Sequence, residues 1–335
     1  MAENIHEQAQ ALRDVASGYA LSKALYAVAD ARVADFMDDA PVQVSRLAAQ
    51  TGSNEDALYR IMRTLACLGI FFEHDGQAFS HTPVSRLLRA DHAHSQLDGV
   101  LFRGLELYEA YIELPHTLAT GTPSFERRFG MSMFEYLNAN SDMQARFQAC
   151  MESDTRAQQV GILEAYDFSP FASIVDVGGG NGTLIAAILS AQPNANGILF
   201  DRKSVLDQVR ESPGGAIPRC QLLHGDFFDA VPTGGDLYIL KYVIHDWRDG
   251  EALTILKNCR RAMNGGAKLL VIDAIFGPPN VHNTALTLDL SMLAAVGGVE
   301  RRQSEFKALF HQAGLALKQV IATKSPLSIL EVIPG

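Results

Sequence analysis

The chain has 335 residues, 47% hydrophobic and 20% charged, with a formal net charge of −10. That is enough for two domains with substantial cores, and the acidic balance argues against a nucleic-acid surface, which needs a local excess of Lys and Arg. No run approaches the roughly 18 apolar residues that span a bilayer. The opening MAENIHEQAQALRDV lacks the charged-then-apolar pattern of an export signal, so a cytoplasmic chain is expected. Cys67, Cys150, Cys220 and Cys259 are widely spaced and form no CxxC, which suits reduced, packed thiols and no metal site.

Residues 5–165 read as almost wholly helical. Leu21, Leu25, Val28, Ala29, Val33 and Phe36 recur at helical spacing. A short helix is expected over Val44–Gln50, stopped by Thr51-Gly52. Ser53 or Asn54 then caps a second helix running to about Leu68, stopped by Gly69. Ile70–Glu73 and Gln77–His81 read as strands around His74-Asp75-Gly76. Helix, turn, helix and hairpin make a winged helix. Such units often bind DNA through the second helix, but Glu55, Asp56, Arg60 and Arg63 leave this one without a basic face, so a packing or dimerisation module is the expected role. Residues 96–165 continue as helices rich in aromatics and Met, including Phe134, Phe147 and Met151, a composition able to line an apolar ligand pocket.

Near Phe171 the texture changes. The apolar runs SIVDV (173–177), GILFD (197–201), CQLLHG (220–225), DLYILKY (236–242) and KLLVIDAI (268–275) alternate with helical stretches such as Gly182–Ala191 and Gly250–Met263. Continuous apolar strands alternating with helices predict an α/β fold: a mostly parallel sheet covered on both faces. LALKQVIA (315–322) and LSILEVI (327–333) are separated only by Thr323–Pro326. A parallel pair needs a crossover of a dozen or more residues, so these strands form an antiparallel C-terminal hairpin if they are neighbours. The expected organisation is 1–95, a helical winged-helix-like dimerisation domain; 96–165, a helical connector contributing to a substrate pocket; and 166–335, a Rossmann-like catalytic domain.

The first of those strands runs straight into Gly178-Gly179-Gly180-Asn181-Gly182. Glycines there permit positive φ and close approach of a ligand to the backbone. The nicotinamide fingerprint G-x-G-x-x-G needs glycine at 183, where Thr183 stands; the pattern present is Gly178, Gly180, Gly182. Asp201 ends the next strand, where a carboxylate accepts ribose hydroxyls. Asp226 follows the third, beside Phe227, suited to the amine and flat face of adenine. No GxxxxGK[ST] phosphate loop is present. S-adenosylmethionine (SAM) has no phosphate and carries a cationic sulfonium, so Asp176, Asp201 and Asp226 at successive strand ends favour it over NAD.

The fourth strand leads into Lys241-Tyr242-Val243-Ile244-His245-Asp246-Trp247. A neutral imidazole can take the proton of a phenol as a methyl group is transferred to its oxygen. A general base needs an orienting partner on its other nitrogen, and Asp273 and Glu300 are the candidates.

With VDVGGGNGTL, LFDR, GDFF, LKYVIHDW, LKNCRRAM and GGVERR…EF in this order over nearly its whole length, the chain resembles the SAM-dependent O-methyltransferases of plant caffeate and bacterial natural-product metabolism. The resemblance implies an N-terminal domain that forms a homodimer, a small aromatic or polyketide-like acceptor, and S-adenosylhomocysteine (SAH) as product. It implies that Gly178, Gly180, Asp201, Asp226, Phe227 and Lys241 contact SAM, and that His245 is the base, flanked by Asp273 and Glu300. The family commonly has glutamate where Asp273 stands, which makes Glu300 the expected partner. Phe147 and Met151 match positions that line the acceptor site, Met292 and Asp246 are further candidates for it, and Asp154 stands where some plant enzymes carry a substrate-contacting histidine. The competing readings are a SAM-binding relative with hydroxylating, decarboxylating or pericyclic chemistry, a winged-helix transcription regulator, and an NAD dehydrogenase.

Overall fold

The computed structural model describes residues 5–211 and 216–335. They divide into two compact units. One comprises Met1–Tyr108 with Ala149–Ser153; the other comprises Glu109–Gln148 with Asp154–Gly335. Residues 96–108 of the expected connector thus group with the N-terminal unit.

In the first unit a long helix spans Ile5–Asp30. The expected helix to Phe36 breaks at Arg32, whose φ of 57° turns the chain into a short 3₁₀ segment, Val33–Phe36. No glycine marks that break. The helix Val44–Thr51 ends on Gly52 in the left-handed conformation, and Asn54 caps Glu55–Cys67 by accepting from the Ala57 N–H at 3.0 Å. Strands β1 (Val42–Gln43), β2 (Phe71–His74) and β3 (Ala78–His81) form an antiparallel sheet in the order β1-β3-β2. β1 is too short to announce itself in the sequence. Met37, Leu47, Met62, Leu65, Phe71 and Phe79 fill the core of this winged helix.

The second unit is built on strands β4 (Ser173–Val177), β5 (Asn196–Asp201), β6 (Cys220–His224), β7 (Leu237–Lys241), β8 (Lys268–Asp273), β9 (Ile275–Phe276), β10 (Arg301–Arg302), β11 (Leu315–Ala322) and β12 (Ser328–Pro334). Seven of them form one sheet, β11-β12-β8-β7-β4-β5-β6. The five from β8 to β6 are parallel, and β12 runs against both of its neighbours, β8 and β11. Side chains alternate across a strand, so each apolar run feeds two cores. Val175, Val177, Tyr238, Leu240, Leu269 and Val271 pack with residues of the helices Asp249–Ala262 and Gln303–Gln312. Ile174, Leu237, Ile239, Leu270 and Ile272 pack with residues of the helix Thr183–Ala191.

The run KLLVIDAI is not one strand. The β12 register ends at Ser328 opposite Asp273, and beyond Ala274 the chain leaves the sheet. β9 then pairs in parallel with β10, Arg301 opposite Ile275. That pairing brings the Glu300 segment alongside the end of β8. The chain passes from β4 to β5 on one side and to β7 on the other, so the crevice for a ligand in an open sheet lies at the carboxyl ends of these strands.

Candidate active site

At that edge β4 opens into the glycine loop. Gly178, Gly180 and Gly182 have φ of 69°, 60° and 79°, the region where side chains are strained. A Cβ on Gly179 would lie 2.5 Å from Leu199 and 2.6 Å from the Asp176 carboxyl, whereas one on Gly180 meets only the tip of Gln148 at 3.9 Å. The loop is therefore pressed down at Gly179 and open at Gly180. Asp201 holds its shape: one carboxylate oxygen accepts from the Gly180 N–H at 2.8 Å and the other from the Arg202 N–H at 2.7 Å. Burial raises the Asp201 pKa against the pull of these two donors. Asp176 is buried beneath the loop, its carboxyl pushed up to about 7 mainly by desolvation, with one oxygen lacking any partner. Asp226 is exposed and caps its own turn by accepting from the Phe228 N–H. Phe227 lies under the loop, 3.5 Å from where a Gly178 Cβ would be. Phe228 meets Trp247 edge-on at 4.7 Å, and Phe134 stacks on Trp247 at 5.7 Å.

One strand away, β7 ends at Lys241 and the chain turns sharply. Tyr242 has φ 55°, unusual for a bulky residue. A 3₁₀ turn, Ile244–Asp246, follows and carries His245. The turn buries the imidazole and brings it to Glu300: Nδ1 lies 2.6 Å from Glu300 Oε1. Its Nε2 is 3.4 Å from Asp246 Oδ1. Tyr242 stacks on the imidazole face, with ring centroids 4.9 Å apart, and its hydroxyl accepts from Gln158 Nε2 at 3.0 Å. Lys241 Nζ sits 4.2 Å from the centre of the Tyr242 ring and donates to Thr155 Oγ1. Desolvation brings the Lys241 pKa down to about 8, against the attraction of Asp154, Asp176 and Asp273.

Asp273 is fully buried, and neither of its oxygens has a hydrogen-bond partner. Burial pushes its carboxyl up to about 8, and the neighbouring Glu300 and Asp246 add to the rise. Burial also opposes charge on His245, but Asp246, Glu300 and Asp273 together outweigh it and raise the imidazole to about 9. The carboxylate on Nδ1 is thus Glu300, while Asp273 acts on His245 through its field. Phe147 and Met292 belong to the same unit as His245, whereas Met151 lies within the segment that groups with the N-terminal unit.

Sequence reasoning missed Tyr242, Gln158, Asp289 and Arg301 at this corner. Asp289 accepts from the Glu300 N–H at 2.9 Å. Arg301 donates to the Ile244 and Trp247 carbonyls and to Asp249. Only the doubled arginine after Glu300 hinted at the last of these, and a solvated pair reads the same way.

A fold of this topology, with an open glycine loop and acidic strand ends, defines a SAM-dependent methyltransferase. The O-methyltransferase domain profile matches residues 111–316 and the O-methyltransferase dimerisation domain profile matches residues 13–91, so the chain belongs to this O-methyltransferase family. It is 39% identical to the phenazine O-methyltransferase PhzM of Lysobacter antibioticus, over 96% of this chain and 95% of that one. It is 33% identical to the mitomycin biosynthesis 6-O-methyltransferase of Streptomyces lavendulae, over 96% and 94%. Among solved structures, CalO1, a methyltransferase in calicheamicin biosynthesis with SAH bound, superposes with a TM-score of 0.90 at 33% identity over 100% of both chains. The chain is a SAM-dependent O-methyltransferase, and its winged helix is the family's dimerisation module. Among the described residues no helix is long and apolar enough to cross a membrane.

Proposed function

We propose that the protein methylates a hydroxyl of a small aromatic natural product with His245 as general base, and that it works as a homodimer. The observation that carries the base is the buried 2.6 Å contact between His245 Nδ1 and Glu300. It assigns Nδ1 to the carboxylate and leaves Nε2 for the acceptor. An imidazole raised to about 9 is close to the pKa of about 10 of a phenol, so a proton passes between them with little free-energy difference. Gly178, Gly180, Asp201, Asp226, Phe227 and Lys241 would hold SAM, which supplies an electrophilic methyl group on a cationic sulfur. The open backbone at Gly180, the ribose-suited Asp201 and the unpartnered oxygen of Asp176 fit that ligand. Asp246, Phe147 and Met292 are proposed to border the acceptor. Tyr242 and Glu300 keep the imidazole upright, so the remaining contribution is alignment of oxygen, methyl carbon and sulfur.

The relatives' phenazine, mitomycin and calicheamicin chemistries support an aromatic or polycyclic acceptor. Exposed Ile5, Leu12, Val15 and Tyr19 recur at helical spacing on Ile5–Asp30, which suits burial against a second copy. The test is transfer of label from methyl-labelled SAM into a panel of hydroxyphenazines, naphthols and hydroxyquinones. Labelled ether from at least one is the expected result; binding of these phenols without label transfer would remove the proposal.

A further inference from the structure

We propose that Arg301 is a positioning residue that fixes the turn carrying His245 in register with Glu300; this rests on the reading of His245 as the base. Arg301 is buried, and its planar guanidinium reaches four groups, three on residues 244–249 and the Val299 carbonyl just ahead of β10. Nη1 donates to the Ile244 carbonyl at 3.0 Å and more weakly to the Val299 carbonyl at 3.4 Å. Nη2 donates to the Trp247 carbonyl at 2.8 Å and to Asp249 Oδ1 at 2.8 Å, and Nε also donates to Asp249 Oδ1 at 3.0 Å. Ile244 and Trp247 bracket the His245–Asp246 pair, so the fork closes the turn from both ends.

The same segment touches the turn at two further points. The Val299 N–H donates to the His245 carbonyl at 2.8 Å. Gly298 lies so close that a Cβ there would collide with that carbonyl oxygen, which is why this position must be bare. Residues 298–301 therefore supply the carboxylate on Nδ1 and grip the backbone that presents the imidazole. Base and orienter come from positions 55 apart in sequence. The β9–β10 pairing brings residues 298–301 to this corner, but no regular sheet pairing joins them to residues 244–247, so the grip is what holds the two segments to each other. Lysine substitutes only in part: its compact ammonium lacks the planar fork that reaches these four acceptors. Displacement of a catalytic group by about 1 Å costs roughly 10²-fold.

The experiment compares Arg301→Gln and Arg301→Lys in the full chain. The measurements are melting temperature, SAH affinity, kcat and KM with whichever panel phenol accepts label, and the far-downfield proton resonance of the His245–Glu300 hydrogen bond. Arg301→Gln should lose roughly 10–10²-fold in kcat, with SAH affinity within about threefold, and should lose or shift the downfield resonance. Arg301→Lys should fall between Arg301→Gln and the unaltered protein. A merely structural role would lower melting temperature and SAH affinity together and leave kcat of the folded fraction and the resonance in place; that pattern overturns the proposal. If Arg301→Gln does not fold, Arg301→Lys decides: an unchanged kcat with an unchanged resonance overturns it. Should His245→Ala keep full activity, the base reading fails, while the resonance still tells whether Arg301 holds the two segments together.

Discussion

The glycine loop and the histidine turn leave neighbouring strands of one sheet, β4 and β7, yet they are made in opposite ways. The loop is local: Gly178 to Gly182 take their shape from positive φ, and Asp201, on the very next strand, closes it. The turn is global: Glu300, Asp273 and Arg301, which surround His245 and its backbone, arrive from other parts of the chain. A site made of backbone tolerates changes around it and fails through shape. A site made of long-range side chains fails through charge and alignment. Substitutions at the two places should therefore separate cofactor affinity from turnover.

The largest separation is expected for His245→Ala. Turnover should drop by roughly 10²–10⁴, with SAH affinity changed less than about threefold, since the glycine loop is untouched. Steady-state kinetics with calorimetric SAH binding checks both. An unchanged kcat would mean that the turn does not carry the base.

The converse substitution is Asp201→Ala. It frees the Gly180 N–H and, on the proposed reading, removes an acceptor for the SAM ribose. A charged hydrogen bond contributes about 1.5–3 kcal/mol, so SAM affinity should weaken roughly 10–10²-fold. At saturating SAM, kcat should stay within about threefold. A loss of kcat equal to the loss of affinity would show that the two places are not separable.

The contrast also explains what was legible in the sequence. Strands β4 to β8, the helices between them and the terminal hairpin were readable, because apolar runs and turn residues are local signals. The glycine loop and Asp201 were readable for the same reason, lying within thirty residues of each other. His245 stands out in the sequence by its place after a strand at the ligand edge, but the residues alone leave Asp273 and Glu300 open as its partner and only the family resemblance favours Glu300, since side-chain reach depends on where β9 and β10 pair. Arg301 looked like any surface arginine, because nothing in a sequence distinguishes a buried guanidinium from a solvated one. Strain at Tyr242 and Arg32 was equally invisible: both adopt positive φ where a glycine would have announced the turn.

The smallest effect, and the finest test of the catalytic corner, is expected for Asp273→Asn. Its carboxyl makes no hydrogen bond and is raised to about 8, so near pH 7 it is already neutral, and asparagine copies it in shape and charge. Turnover at pH 7 should change by less than about threefold. The difference should emerge at higher pH. In the folded wild type both Asp273 and His245 hold their protons more tightly than in the unfolded chain, to about 8 and about 9. Between the unfolded pKa of His, about 6.5, and pH 9 the native state binds more protons, so stability falls as pH rises. Removing the Asp273 charge takes away one of the two groups responsible and draws the imidazole pKa down. The variant's melting temperature should therefore fall less steeply from pH 6.5 to 9, and the alkaline rise of kcat/KM should move to lower pH. Identical pH slopes in both proteins would show that Asp273 is not part of the field around His245, leaving Glu300 and Asp246 to account for its basicity alone.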